Sequence, residues 1–193
     1  MITPVNQKPP NREIVNKAVA AFATRPAFTG PASQPLLRFL GSPERLLVAG
    51  EQSGGEFALF EATGERGHSS LRHRHRRATE ALIVLDGEML IEVGGERRVA
   101  AAGHVAVLPR DQVHAFMVVS PAARYLTLHT PAGFEDFARI MSDAAQAAGP
   151  PPDRASLVAL AAEHGIDIIG PGLTLEDYAQ PPGGGTNSPG SAF

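Results

Sequence analysis

Four side chains in the middle of the chain have the types and spacing to hold a metal. His73 and His75 are separated by one residue, so on an extended strand both imidazoles project from the same face. Glu80 follows five positions after His75, and His114 is a further candidate beyond the next hairpins. Three imidazoles and one carboxylate form a ligand set for one divalent transition metal that leaves coordination positions open. An isolated His-x-His pair carries little weight, since such pairs arise on strands by chance. What raises this one is the company it keeps, and whether the rest of the chain can position it.

The positioning elements are short and mostly extended. Leu36–Leu40, Arg45–Ala49, Glu56–Ala62, Leu71–His75 and Glu80–Leu85 are short runs punctuated by Gly, Ser and Pro. Met89–Val93, Arg97–Ala101, His104–Leu108, Val113–Val119 and Arg124–Thr130 continue the series, and Asp86-Gly87 and Gly94-Gly95 have hairpin-turn composition. This pattern predicts an all-β sandwich or barrel over residues 36–130. Residues 1–35 are expected to form an N-terminal arm with a short helix over Arg12–Ala23, capped by Asn11. After Thr130 the period becomes helical: Phe134, Phe137, Ala138, Met141 and Ala145 form one apolar stripe. Asp153 caps a second helix that turns Leu157, Leu160 and Ala161 inward and ends near Gly165. Ile166–Ile169 is a short apolar segment. Residues 131–180 are therefore expected to be a helical extension, and 181–193, rich in Pro, Gly and Ser, a disordered tail.

Composition narrows the function classes. The 193 residues are 43% hydrophobic and 19% charged, an ordinary globular balance. A net charge of −3 argues against a nucleic-acid partner. The absence of cysteine excludes disulfides, thiolate ligands and Cys nucleophiles. No apolar run suits a membrane span and no signal-peptide core is present, so a cytoplasmic protein without a membrane partner is expected.

The spacings around the four candidate ligands resemble the two signatures of the cupin superfamily. The first, G-x5-H-x-H-x4-E-x6-G, is met by Gly67, His73, His75, Glu80 and Gly87. The second, G-x5-P-x-G-x2-H-x3-N, is met by Gly103, Pro109 and His114, with Asp111 in place of its second glycine and Val118 in place of its asparagine. The resemblance implies a cupin (jelly-roll) β-barrel with an N-terminal helix and two C-terminal helices, holding one metal on His73, His75, Glu80 and His114. Nickel, manganese and iron head the expected metals, and cobalt, copper and zinc also suit the set. Alternation from the ligands predicts a substrate pocket walled by Leu82, Val84, Met89, Ile91, Phe116 and Val118. A cupin that keeps the pattern and works without metal stays open as an alternative.

The segment Thr130-Pro131-Ala132-Gly133-Phe134-Glu135-Asp136-Phe137 is similar to the stretch after the barrel in single-domain quercetinase-like cupins. That resemblance implies a ring-cleaving dioxygenase that binds a flavonol or another small aromatic or enolisable compound, with dioxygen as co-substrate and Glu80 as ligand and base. Two other classes stay open: a binding or sensing cupin without turnover, and a cupin isomerase or lyase. A homodimer is expected from the need to cover strand edges. His68 is expected in an exposed loop, His104 in a turn and His164 at a helix end. His129 is weighed as a pocket residue against a bland position on a late strand, and Tyr125 is read as core. Arg72, Arg74 and Arg76 alternate away from the histidines, which predicts a solvated outer face; with Arg77 they could instead create a positive field at the barrel mouth.

Overall fold

The computed structural model describes residues 26–40, 42–147 and 153–179. The expected N-terminal helix and the Pro/Gly-rich tail lie outside the described residues. Among the described residues eleven strands form two antiparallel sheets. One has six strands in the order β1 (Leu36–Phe39), β2 (Ser42–Val48), β3 (Ala58–Glu65), β10 (Ala122–Thr130), β5 (Thr79–Asp86) and β8 (Val105–Leu108). The other has five, in the order β11 (Ile166–Gly170), β4 (Arg72–His75), β9 (His114–Val118), β6 (Glu88–Val93) and β7 (Glu96–Ala101). This is the jelly-roll expected from the sequence, and each run read there as a strand contributes one.

Between the sheets lies an apolar core. Leu82 and Val84 of β5, Met89 and Ile91 of β6, Phe116 and Val118 of β9, and Ala123 and Tyr125 of β10 pack together, as alternation on each strand requires. The Asp86-Gly87 turn is held by a steric demand. Gly87 has φ +80, and a Cβ there would stand 2.2 Å from the Ala122 carbonyl oxygen, so no other residue fits the β5–β6 corner.

Among the described residues four helices decorate the barrel: α1 (Gly50–Ser53), α2 (Phe134–Gln146), α3 (Arg154–Glu163) and α4 (Leu175–Ala179). In α2 the apolar stripe is buried through Phe137, Ala138 and Met141, whereas Ala145 is exposed because the helix runs past the sheet it covers. Its Glu135 is buried and accepts hydrogen bonds from the backbone N–H groups of Gly133 (2.7 Å) and Gly50 (2.9 Å), tying α2 to α1. Asp153 caps α3 by accepting from Ser156 N–H at 2.7 Å.

The short apolar segment after α3 is β11, which pairs with β4 in the register Ile166 to His75, Asp167 to Arg74 and Ile168 to His73. Ile166 and Ile168 thus share the face of the two histidines, and Asp167 shares the face of the arginines. The extension therefore adds a strand beside the candidate ligands as well as helices.

Candidate metal centre

Register brings the four candidate ligands together from three strands. His73 of β4 lies directly opposite His114 of β9, and Glu80 enters from β5 in the facing sheet. One potential ligand atom from each of His73, His75, Glu80 and His114 lies within 4.8 Å of all the others. The Oε2 atom of Glu80 is 3.3 Å from both His75 Nε2 and His114 Nε2. His75, Glu80 and His114 are buried, and His73 is partly so. The turn before β9 accommodates the departure at Asp111, which takes φ +65 where glycine is usual and donates its N–H to the His75 carbonyl at 2.8 Å.

Hydrogen bonding selects the tautomers a metal would need. His73 Nδ1–H donates to the Leu71 carbonyl at 2.7 Å, and His114 Nδ1–H donates to the Gln112 carbonyl at 2.9 Å. With protons on Nδ1, the Nε2 lone pairs are left for coordination. The buried Nε2 atoms of His75 and His114 have no hydrogen-bond partner, an expense that a bound cation would remove. The donor set and its orphaned atoms fit a divalent transition metal.

Electrostatics around the group favour a charged carboxylate and act differently on the imidazoles of His73 and His114. Burial, reinforced by His114 and His75, pushes the His73 imidazolium down to about 3. Burial alone would raise Glu80, but the imidazoles of His129, His114 and His75 hold its carboxyl well below the ordinary range. Burial likewise opposes charge on His114, and the Glu80 carboxylate outweighs it, raising that imidazole.

The group opens onto a mostly apolar cavity. Phe39, Phe116, Phe134 and Phe137 supply aromatic walls, and Leu157, Ile166 and Ile168 close it from α3 and β11. Of the six wall residues expected from alternation, only Phe116 lines this cavity. Leu82, Val84, Met89, Ile91 and Val118 are instead buried in the core between the sheets. Period two fixes the face of a side chain but not its height along the barrel, where inward side chains fill the narrow interior.

Three titratable residues join the cavity that the motif does not contain. His129 of β10 is 2% exposed and sits opposite Glu80 in register. Parity with Tyr125 and Thr127, both buried on β10, is the signal for its inward position. Glu44 of β2 turns its carboxyl to the same space, and no local sequence signal marks it. Burial first and the charge of Glu80 second push Glu44 up to about 8. His68 is also drawn in, contrary to the expectation of an exposed loop. Its Nδ1 is 3.0 Å from Ser42 Oγ, its ring lies against Phe116, and burial lowers its pKa. His104 stays in an exposed turn. Tyr125 is core, 1% exposed.

The arginines point away from the histidines, as alternation requires, but they are paired. Arg74 Nε donates to Asp167 at 2.9 Å, and Arg76 donates to Asp167 and to the Ala162 carbonyl. Arg72 Nε donates to Glu92 at 2.7 Å and its Nη1 to the carbonyls of Pro171 and Gly172. The cluster straps the C-terminal segment to the barrel, beside the cavity.

Comparison with known proteins agrees with this geometry. Residues 60–128 match the family model described as Cupin domain. Quercetin 2,3-dioxygenase of Bacillus subtilis (strain 168) is 25% identical over 99 residues, covering 51% of this chain and 29% of that protein. The chain thus spans less than a third of the length of this curated relative. Among solved structures, KdgF from Halomonas sp. aligns with a TM-score of 0.50 and 18% identity over 57% of this chain and 99% of that one. An RmlC-like cupin from Shewanella frigidimarina aligns with a TM-score of 0.51 and 20% identity, covering 58% and 96%. These two likenesses concern the fold.

Proposed function

We propose, from the premise that this chain carries a domain of the cupin superfamily, that it is a metal-dependent dioxygenase. Its substrate would be a small aromatic or enolisable compound of the flavonol type. The observation that carries this reading is a His3Glu group whose one open side faces an aromatic-walled cavity. The partial similarity to a quercetin 2,3-dioxygenase supports the choice of chemistry.

His73, His75, Glu80 and His114 would hold one divalent cation, with nickel, manganese or iron preferred. When bound, that cation supplies Lewis acidity, lowering the pKa of a substrate hydroxyl placed on it. Glu80 is held ionised by its imidazole neighbours, so an oxygen of its carboxylate is available to take the hydroxyl proton. Phe39, Phe134 and Phe137 offer flat apolar surfaces that match a planar ring and favour edge or stacked contacts. Leu157, Ile166 and Ile168 cover the cavity and keep water from the deprotonated substrate. These are roles for binding, proton transfer and exclusion of water.

An oxygen electrode tests the reading. Protein loaded separately with nickel, manganese or iron is mixed with flavonols, other enediols and β-diketones. The expected result is oxygen uptake with at least one flavonol, abolished in Glu80→Ala. Binding without uptake for every metal would instead indicate a binding cupin, and isomer or elimination products without uptake an isomerase or lyase.

A further inference from the structure

His129 is the buried polar group that the four-residue group leaves unexplained. Its ring is 2% exposed, it borders the cavity, and neither Nδ1 nor Nε2 has a hydrogen-bond partner. Backbone register places it opposite Glu80, yet it lies outside the group whose ligand atoms converge within 4.8 Å. Two aromatic rings fix its plane: Phe134 stacks on it at 4.1 Å and 15°, and Phe60 meets it edge-on at 5.9 Å and 89°. The His75 ring stands 5.2 Å away on the cup side.

A buried imidazole with two unpaired nitrogens is a poor core residue. Each orphaned atom has given up water without a replacement, and an apolar side chain of similar shape would fill the space at lower cost. Such departures from good core chemistry concentrate at functional sites. Its two ring nitrogens can supply one N–H donor and one acceptor.

We infer that His129 is a substrate-binding residue, whose ring donates an N–H hydrogen bond to an oxygen atom of the ligand in the cup. The inference rests on the substrate class proposed above, a compound presenting a carbonyl or enolate oxygen. Phe134 gives the contact its orientation, so α2 helps to position the donor. A histidine meets both demands, since its flat ring stacks on Phe134 while a polar edge borders the cavity.

The test pairs His129→Phe with His129→Gln and reads three quantities. Metal content after loading should match the wild type in both variants, and its loss would overturn the inference in favour of a ligand role. The melting temperature of metal-free His129→Phe should equal or exceed that of the wild type, because the orphaned atoms are gone. A fall in both variants would mean a structural role and overturn it too. Finally, quercetin and acetylacetone are titrated anaerobically into metal-loaded protein. Binding should weaken about ten-fold or more in His129→Phe and by no more than about three-fold in His129→Gln, the range for one hydrogen bond to a partly charged oxygen. Equal affinity in all three proteins overturns the inference. If the wild type binds neither probe, the proposed substrate class fails, while the melting temperatures still decide whether the ring is held for a ligand.

Discussion

Glu44 offers a quantitative test of the cavity electrostatics. In the unfolded chain its carboxyl ionises near 4.5, whereas in the folded protein burial and the charge of Glu80 push it up to about 8. Between those values the folded state holds a proton that the unfolded state has released. Stability therefore falls as pH rises through this window and levels off above it. At about 1.4 kcal/mol per pH unit, the ceiling on the loss is about 5 kcal/mol. Glu44 borders the cavity and keeps some access to water, which reduces the loss to about 2–3 kcal/mol. Glu44→Gln keeps shape and polarity but cannot ionise. In metal-free protein its advantage over wild type should be near zero at pH 4.5 and grow to about 4–12 °C in melting temperature by pH 8, given about 2–4 °C per kcal/mol for a protein of this size. Calorimetry at intervals from pH 4.5 to 8 measures the difference directly, and the titrations of other groups cancel between the two proteins. Loading the metal should shrink the gap, since a nearby cation favours the ionised carboxyl. A difference that is constant with pH, or a Gln variant that is less stable at pH 8, would refute the reasoning.

Three further outcomes follow from the structure. Glu80→Ala and His114→Ala should lose metal in elemental analysis, and wild-type protein should gain about 4 kcal/mol of stability at metal concentrations near a thousand times the dissociation constant; a wild type that gains nothing would leave the cup without its expected occupant. Leu82→Ala should destabilise by about 2–5 kcal/mol while leaving ligand preference unchanged, because Leu82 is core, whereas Phe134→Ala should weaken aromatic ligands. Asp167→Asn removes the shared partner of Arg74 and Arg76 on a half-exposed surface, so its cost should stay near 1 kcal/mol, but limited proteolysis should cut within 153–179 several times faster.

The meeting of the four candidate ligands was legible because their constraint is local. His73, His75 and Glu80 fall within one strand–turn–strand unit, and His114 opens the strand that pairs with β4, so spacing alone carries the geometry. The cavity obeys a different rule. Its titratable additions, Glu44, His68 and His129, come from β2, the β3–β4 connection and β10, and its cover comes from α2, α3 and β11. Their meeting depends on sheet order and on height along the barrel, neither of which period two encodes. The same blindness placed Leu82, Val84, Met89, Ile91 and Val118 in the pocket when they fill the core between the sheets. Strand β11 was hidden for a related reason: five residues with one charge are ambiguous until Asp167 is seen across from Arg74 and both isoleucines across from the histidines. The arginines of β4 then acquire a purpose that neither a solvated face nor a steering field supplies. They anchor the strand that closes the cavity, so the segment that contributes His73 and His75 also fixes the cover over them. Substitutions within 67–87 and 103–114 should accordingly change whether metal is held, whereas those in β2, β10, α2 and β11 should change which ligand is accepted over the same metal.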